Sequence, residues 1–551
     1  MPDDFSFYEK MGVPAPTFCP NCRFVRRMNN TNERVLYKRT CDLTGKNIIS
    51  MFHADTPFPV YEVTEWYNDG WDPTSYAMDY DFSRPFFEQF LELQNKVPRM
   101  SLVRQGHSIN SEYCHRIDSP KNCYMAFRAT RVEECAYIYT VLDAKDCMDC
   151  SFLNSCELCY ECVNIEKCYN VKFSQESVNC RDSSFLYSCH NCSSCVGCVN
   201  LRNREYCIFN EQYTKEEYKE KIKELGLHTY DGVEKMKKDF PLFKKQFPQK
   251  ALMTLKSNAV SGNWFTNCQN VQNSFFAINV KDGKNLFAIF DVEDCQDYFQ
   301  WGNKAELVYE SENCGINVSR LFSCSQCWMG AHDLMYCDSC PGAGNCFGCI
   351  GLKKGEYSIL NKKYSKEEYE AILPKIKQHM IDMPYLGKNG RTYGYGEHFP
   401  FETSPFAYNE TAAIDFFPIT KEQALDMGFK WKDKEKVHYA VSKKYSDLPQ
   451  TIAEVTDDIT KEIISCAGED KEYSPGAFKI TDQELLFYRR MDLPLPRVSY
   501  PVRYMRRLEM RPPMKIIERN CSKCSIEVQT PYDENFAPML YCEPCYQQEV
   551  I

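Results

Sequence analysis

Between Cys123 and Leu201 every third residue is small or apolar, and the residues between them are largely polar or aromatic. Cut at intervals of twelve, the stretch reads CYMAFRATRVEE, CAYIYTVLDAKD, CMDCSFLNSCEL and CYECVNIEKCYN, and continues in the same frame. Cys123, Cys135, Cys147 and Cys159 then share one column, and Cys156, Cys168, Cys180 and Cys192 a second. Ala129, Val141, Leu153 and Ile165 form a third. Twelve residues are too few for a helix pair. The period predicts one coil of a narrow β-solenoid, with equivalent residues stacked about 4.8 Å apart.

The pattern returns in SFFAINVKDGKN, LFAIFDVEDCQD and YFQWGNKAELVY, which place Phe275, Phe287 and Phe299 in one column and Ala277, Ile289 and Trp301 in another. Farther on, CFGCIGLKKGEYSILNKKYSKEEY matches CVGCVNLRNREYCIFNEQYTKEEY without a gap, setting Cys346 and Cys349 on Cys195 and Cys198 at an offset of 151. Each run ends in the same device: a capping box, Thr214–Glu217 or Ser365–Glu368, that starts a charged helix. Such a helix suits the open end of a solenoid, whose unpaired edge would otherwise recruit other chains.

The termini are copies of one another as well. FYEKMGVPAPTFCPNCRFVRRM aligns with FYRRMDLPLPRVSYPVRYMRRL at an offset of 480, which also sets Cys41 on Cys521 and Tyr61 on Tyr541. The expected fold is therefore mainly β: two tandem Cys-rich β-solenoids of 12-residue coils with capping helices, flanked by duplicated zinc-ribbon-like terminal modules. The boundaries read 1–100 for a degenerate ribbon-like module, 110–210 for the first solenoid and 211–260 for capping helices and a linker. The second solenoid spans 261–361, a capping helix and an irregular aromatic-rich segment 362–480, and the C-terminal zinc-ribbon module 481–551. Within 362–480 a helix is expected to start at Thr420.

The chain has 551 residues, 32 of them cysteine, and its formal net charge is −10. A narrow coil leaves little room inside, and Cys is a small, readily buried hydrophobe, so core filling accounts for the columns. Metal binding by thiols across coils and disulfide pairing are the competing accounts. MPDDFSFYEKMG lacks a basic stretch followed by an apolar run, and no apolar stretch approaches the length of a membrane span. The expectation is a cytoplasmic, reducing setting without a membrane partner, which weighs against disulfides. The acidic balance gives no global attraction to nucleic acid, so such contact needs a local patch.

Four thiols carry the strongest chemical signal. In CSKCSIEVQTPYDENFAPMLYCEPC, Cys521, Cys524, Cys542 and Cys545 form two CxxC knuckles whose thiolates can converge on one tetrahedral Zn²⁺. All four positions would come from protein, which makes the zinc structural. In the N-terminal copy Cys524, Cys542 and Cys545 become Thr44, Glu62 and Glu65, leaving Cys41 alone. Cys19 and Cys22 could join Cys41 and a fourth ligand such as His53 in a second centre. Both copies keep a basic string, Arg23, Arg26, Arg27 and Arg39 corresponding to Arg503, Arg506, Arg507 and Arg519. One reading makes these phosphate contacts for a nucleic-acid partner. The other pairs them with the acidic solenoid or its carbonyls. No HExxH, GxSxG, P-loop or GxGxxG pattern is present, YGYGEH lacking the third glycine.

The phrases CPNCRFVRR, NERVLYKRTCDLTGKNIIS, DFSRPFFEQF, VPRMSLV, YNETAAIDFFP and YCEPCYQQEV resemble a family of uncharacterised, cysteine-rich, zinc-ribbon-containing proteins of candidate-phyla bacteria. The resemblance implies a bacterial, cytoplasmic protein and carries no activity to transfer. That family usually has CxxC where this chain has CDLT and EVTE. The leading expectation is a non-enzymatic zinc-binding scaffold that presents solenoid surfaces to a macromolecular partner, protein or RNA. The alternatives are a nucleic-acid- or ribosome-associated protein using the arginine strings, an enzyme with its site on a solenoid face or in the aromatic loop after residue 386, and metal or thiol handling by the cysteine columns.

Overall fold

The computed structural model describes residues 2–271, 274–281, 287–293, 309, 312, 330–434, 437–468, 470–471 and 473–551. Phe299 and Trp301, assigned to columns of the second solenoid, lie outside them.

From Arg104 to Ile208 the chain winds into a solenoid whose successive strands pair in parallel, Phe127 on Tyr139, Tyr139 on Ser151 and Val141 on Leu153. The turning device is local. Every third residue takes a left-handed conformation, as at Asn122, Met125, Arg128 and Arg131 with φ of 52°, 49°, 52° and 51°. A twelve-residue coil thus has four corners and sides of three residues. Each such corner costs a non-glycine residue on the order of 1 kcal/mol, and Asn and Asp, which tolerate it best, recur at Asp143, Asp146, Asp149, Asn164, Asn170, Asn179 and Asp182. Hydrogen bonds between coils offset the strain: Tyr124 N donates to Cys135 O and Tyr137 N to Tyr124 O, both at 3.0 Å.

The residue after each corner points inward. Cys123, Ala126, Ala129 and Val132 fill one layer, and Cys147, Cys150, Leu153 and Cys156 another. Size is only half of the requirement. Ser174 Oγ donates to Lys172 O at 2.8 Å and accepts from Leu186 N, one coil on, at 2.9 Å. The thiol of Cys162 lies 3.4 Å from Tyr160 O and 3.3 Å from Val171 O, with one proton to give to either. Small side chains that both donate and accept can satisfy backbone groups turned into the interior. The columns are hydrogen-bonding stations as well as filling.

The second solenoid repeats the plan. Phe275 pairs with Phe287 and Ala277 with Ile289, as the sequence columns require, and Leu334, Cys346 and Ser358 stack in the later coils. Both solenoids close in the same way. Asn210 donates to Val199 O and accepts from Val199 N, and Asn361 does the same with Ile350. The helices Lys215–Glu224 and Lys366–Asp382 follow, each with its full capping box. Tyr218 and Tyr369 pack from them onto Tyr206 and Tyr357 of the last coils.

The two solenoids lie side by side. Phe152 stacks on Phe276 at 4.8 Å between ring centroids, and Trp264 Nε1 donates to Glu176 Oε1 at 3.0 Å. The C-terminal module threads a segment into this seam, and the N-terminal module lays one on the first solenoid. Arg511 places its guanidinium over Phe152, Phe276 and Trp264 at 3.7, 4.3 and 4.6 Å. At the other end Asn32 O meets His115 Nε2 at 3.0 Å, and Glu33 accepts from Tyr139 beside Arg128.

The modules are joined crosswise. Val60–Tyr61 of the N-terminal module pairs with Arg99–Met100, where the first solenoid begins, while Asn361 and Lys353 of the second solenoid bond to its Pro73 and Asn68 carbonyls. Leu540–Tyr541 of the C-terminal module pairs with Gln249–Lys250, where the second solenoid begins, while Tyr546 donates to Asn200 of the first. The segment after residue 386 covers the N-terminal module through Glu397 on Arg26, Asp415 on Arg34 and Glu410 on Tyr37. Its helix Lys421–Asp426 is capped by Thr420, as read from the sequence.

Candidate metal centre

The C-terminal ribbon is built from two turns. Ile517–Asn520 and Glu527–Thr530 form an antiparallel pair, and between them the chain reverses at Cys521–Ser525. Ser525 N donates to Cys521 O and Ser522 N to Leu540 O, so the first knuckle is tied to the strand that leads into the second. Ser525 adopts φ 61°, closing the turn. Cys542 stands at the N-terminal boundary of the helix Glu543–Val550, which places Cys545 on its first turn.

This geometry brings the four sulfurs together, all within 4.8 Å of one another, with Cys524 Sγ 3.6 Å from Cys542 Sγ. Cys542 N donates to Cys521 Sγ at 3.3 Å. Burial works to raise the Cys521 thiol, but backbone N–H groups of Cys542, Cys524 and Lys523 bring it down to about 6, favouring the thiolate a metal needs. The neighbouring sulfurs oppose sharing that charge: burial first, then Cys542, Cys524 and Cys521, push Cys545 up to about 12. A cation among the four relieves that conflict. The donor set is suited to a metal ion held by sulfur alone.

The N-terminal copy keeps the scaffold without the centre. Gly45 N donates to Cys41 O, Asp42 N to Val60 O and Glu62 N to Cys41 Sγ, each matching a bond of the C-terminal knuckles. Glu62 has taken over as a helix cap, accepting from Thr64 N at 2.8 Å. The second centre expected from Cys19, Cys22 and Cys41 is not seen as a converged group among the described residues. Among the described residues only Cys521, Cys524, Cys542 and Cys545 converge as a group of three or more. Cys19 and Cys22 open the helix Pro20–Asn29, and His53 packs edge-on against Tyr37. The column thiols among the described residues form no such group either.

The arginine strings also need correction as partner contacts. Arg23, Arg26, Arg27, Arg503 and Arg507 are all buried, and only Arg506 of the six is exposed. Arg503 and Arg507 both grip Asp149 of the first solenoid, at 2.8 and 2.9 Å, with Tyr500 stacked on Tyr137 beside them. Arg26 meets Glu397 at 3.1 Å. Arg39 and Arg519 hold loop carbonyls of their own ribbons, His53 O and Tyr532 O, at 2.9 Å. A guanidinium spent inside the protein has no face for a phosphate. Nothing in the repeat pattern marked Asp149, one more acidic residue among many.

The aromatic loop after residue 386, a candidate for catalysis, packs on the N-terminal module. Glu397 accepts from Thr17 and pairs with Arg26, and His398 is wholly buried. Fold and site together define a cysteine-cored double β-solenoid with a four-cysteine ribbon. No family model matches the chain, and no curated protein or solved structure proved similar to it. Among the described residues no helix is long and apolar enough to cross a membrane.

Proposed function

We propose that the protein is a non-enzymatic scaffold whose C-terminal ribbon binds one structural zinc ion, and that its solenoid faces are presented to a macromolecular partner in a reducing cytoplasm. The observation that carries this reading is the position of the four thiols. They lie at the joint where the C-terminal module meets both solenoids, through Leu540–Tyr541 on Gln249–Lys250 and Tyr546 on Asn200. A metal with four protein ligands there would lock the assembly and leave no coordination position for a substrate.

The exposed solenoid face supports the second half of the proposal. Polar side chains repeat along it one coil apart, Asn179 on Asn191 on Asn203, Lys121 on Glu133, and Arg131 on Asp143. Such ladders make a flat, regular surface at the coil spacing of about 4.8 Å, suited to an extended partner. Burial of the arginines favours a protein partner over RNA.

Metal analysis of the purified protein tests the centre: one zinc per chain is expected, and none, or an iron–sulfur chromophore, overturns it. Capture from native cells with protein and RNA both identified tests the scaffold, and turnover of a co-purifying small molecule would refute it.

A further inference from the structure

The CPNC turn that failed to join a metal centre has a geometry of its own. Cys19 is the N-cap of the ten-residue helix Pro20–Asn29, with Pro20 at its first position. Cys22 N donates to Cys19 Sγ at 3.4 Å. Cys19 is exposed and Cys22 half-buried, unlike the column thiols among the described residues, which are buried. Two guanidiniums lie alongside: Arg26 and Arg391 flank the ring of Phe18, at 4.4 and 4.6 Å.

The duplication supplies an internal comparison. The corresponding positions of the C-terminal copy are Ser499 and Val502, both buried. Cys466 covers them, with its Sγ 3.5 Å from Ser499 Oγ and accepting from Ser499 N at 3.2 Å. The same helix start is thus built twice, once sealed and without a thiol pair, once open with two.

We propose that Cys19 and Cys22 are a reversible dithiol–disulfide pair that exchanges with a disulfide substrate, Cys19 attacking first. Residues three apart on one turn are about 5–6 Å apart between Cβ atoms, within reach of bridging after a small adjustment. The Cys19 thiolate attacks one sulfur of R–S–S–R. That S–S bond breaks, Cys19–S–S–R forms, and RS⁻ leaves and takes a proton from water. Cys22 then gives its proton to water and attacks Cys19 Sγ, closing the Cys19–Cys22 disulfide and releasing a second RS⁻. Two electrons pass to the substrate, which leaves as two thiols. Burial works against the Cys19 thiolate, yet the Cys22 contacts, the Asn21 N–H and Arg23 leave its thiol below the usual value, whereas burial and Cys19 raise Cys22. That order assigns attack to the exposed partner and resolution to the other.

The test uses the reduced full-length protein, equilibrated without oxygen in mixtures of reduced and oxidised glutathione, quenched in acid and mapped by mass spectrometry. A Cys19–Cys22 disulfide that follows the glutathione ratio as a two-electron couple is expected, with Cys19 alkylated at least tenfold faster than Cys22 at neutral pH. Cys22→Ser is expected to accumulate a glutathione adduct on Cys19. Cys19→Ser, which installs the residue of the other copy, is expected to abolish both products. A pair that stays reduced at every ratio overturns the proposal, as does the absence of an adduct in Cys22→Ser. Thiols shielded from alkylation until a chelator is added would mark a metal site and overturn it too.

Discussion

Arg503 Nε donates to Asp149 Oδ2 at 2.8 Å, joining a helix of the C-terminal module to a corner of the first solenoid across 354 positions of sequence. Arg507 takes the other carboxylate oxygen at 2.9 Å. Two guanidiniums on one buried carboxylate balance only because Glu484 lies 3.5 Å from Arg503. The module is therefore docked by charges that have no access to water.

Breaking that pair leaves buried charge uncompensated. Asp149→Ala is expected to lower stability by about 3–5 kcal/mol, whereas Arg506→Ala, on the exposed side of the same helix, is expected to stay within about 0.5 kcal/mol. Denaturant unfolding of both variants checks this. Equal effects would mean that the docking does not depend on Asp149.

The column positions are expected to accept serine where they reject charge. Cys162→Ser keeps both hydrogen-bonding roles seen at Ser174, and Cys168→Ala is a volume change costing at most a few kcal/mol. Cys168→Asp places an unpaired charge between coils and is expected to prevent folding. Burial raises the thiols of Cys135, Cys147 and Cys162 well above their usual value. In native protein they are expected to react slowly with a thiol reagent, and quickly after denaturation. Rapid labelling of the folded chain would contradict the inward columns.

Removing one ligand is expected to free the metal and then the joint. Cys542→Ser, or a strong chelator acting on the parent protein, is expected to release one equivalent of zinc and to open residues 517–551 to limited proteolysis, since a structural metal contributes directly to folding. The first solenoid, with its own capped end, is expected to stay resistant. Metal release without any change in cleavage would detach the centre from the joint.

Acid is expected to act through two histidines. Burial first, then Arg116, pushes His115 well below its usual value, and burial with Arg26 and Arg27 does the same to His398. Unfolding lets each bind a proton below pH ~6.5 that the folded protein refuses. Their neutral forms thus contribute stability above that pH, and it is lost as pH falls, by about 1.4 kcal/mol per unit for each histidine. Thermal midpoints between pH 7 and 5 check the slope, and His115→Gln is expected to remove one histidine's share. An unchanged slope would show that His115 is protonated in the fold.

The repeat was legible because a coil interior repeats its demands at each turn, so Cys123, Cys135, Cys147 and Cys159 had to line up. The four-cysteine ribbon was legible because its ligand spacing is local. The corners were not: left-handed residues include Met125, Glu134, Tyr137 and Thr140, whose identities say nothing of positive φ. Nor was the role of the arginines, since a buried partner such as Asp149 is far away in sequence and ordinary in type. In the N-terminal copy the retained Cys41 suggested a metal, whereas what persists is the backbone turn that its sulfur supports.

The crosswise joints set an order in time. Arg99–Met100 pairs with Val60–Tyr61, already made when the first solenoid leaves the ribosome, so that solenoid grows from a finished template. Gln249–Lys250 pairs with Leu540–Tyr541, which arrive only 291 residues later. At about 5–20 residues per second that is roughly 15 to 60 s of synthesis. Throughout that interval the opening strand of the second solenoid has its backbone groups unanswered. The two halves are circular permutants of one plan, and the second carries the hazard of the rearrangement: a nascent chain stalled after residue 250 and before residue 540 exposes an edge that a second nascent chain can pair with.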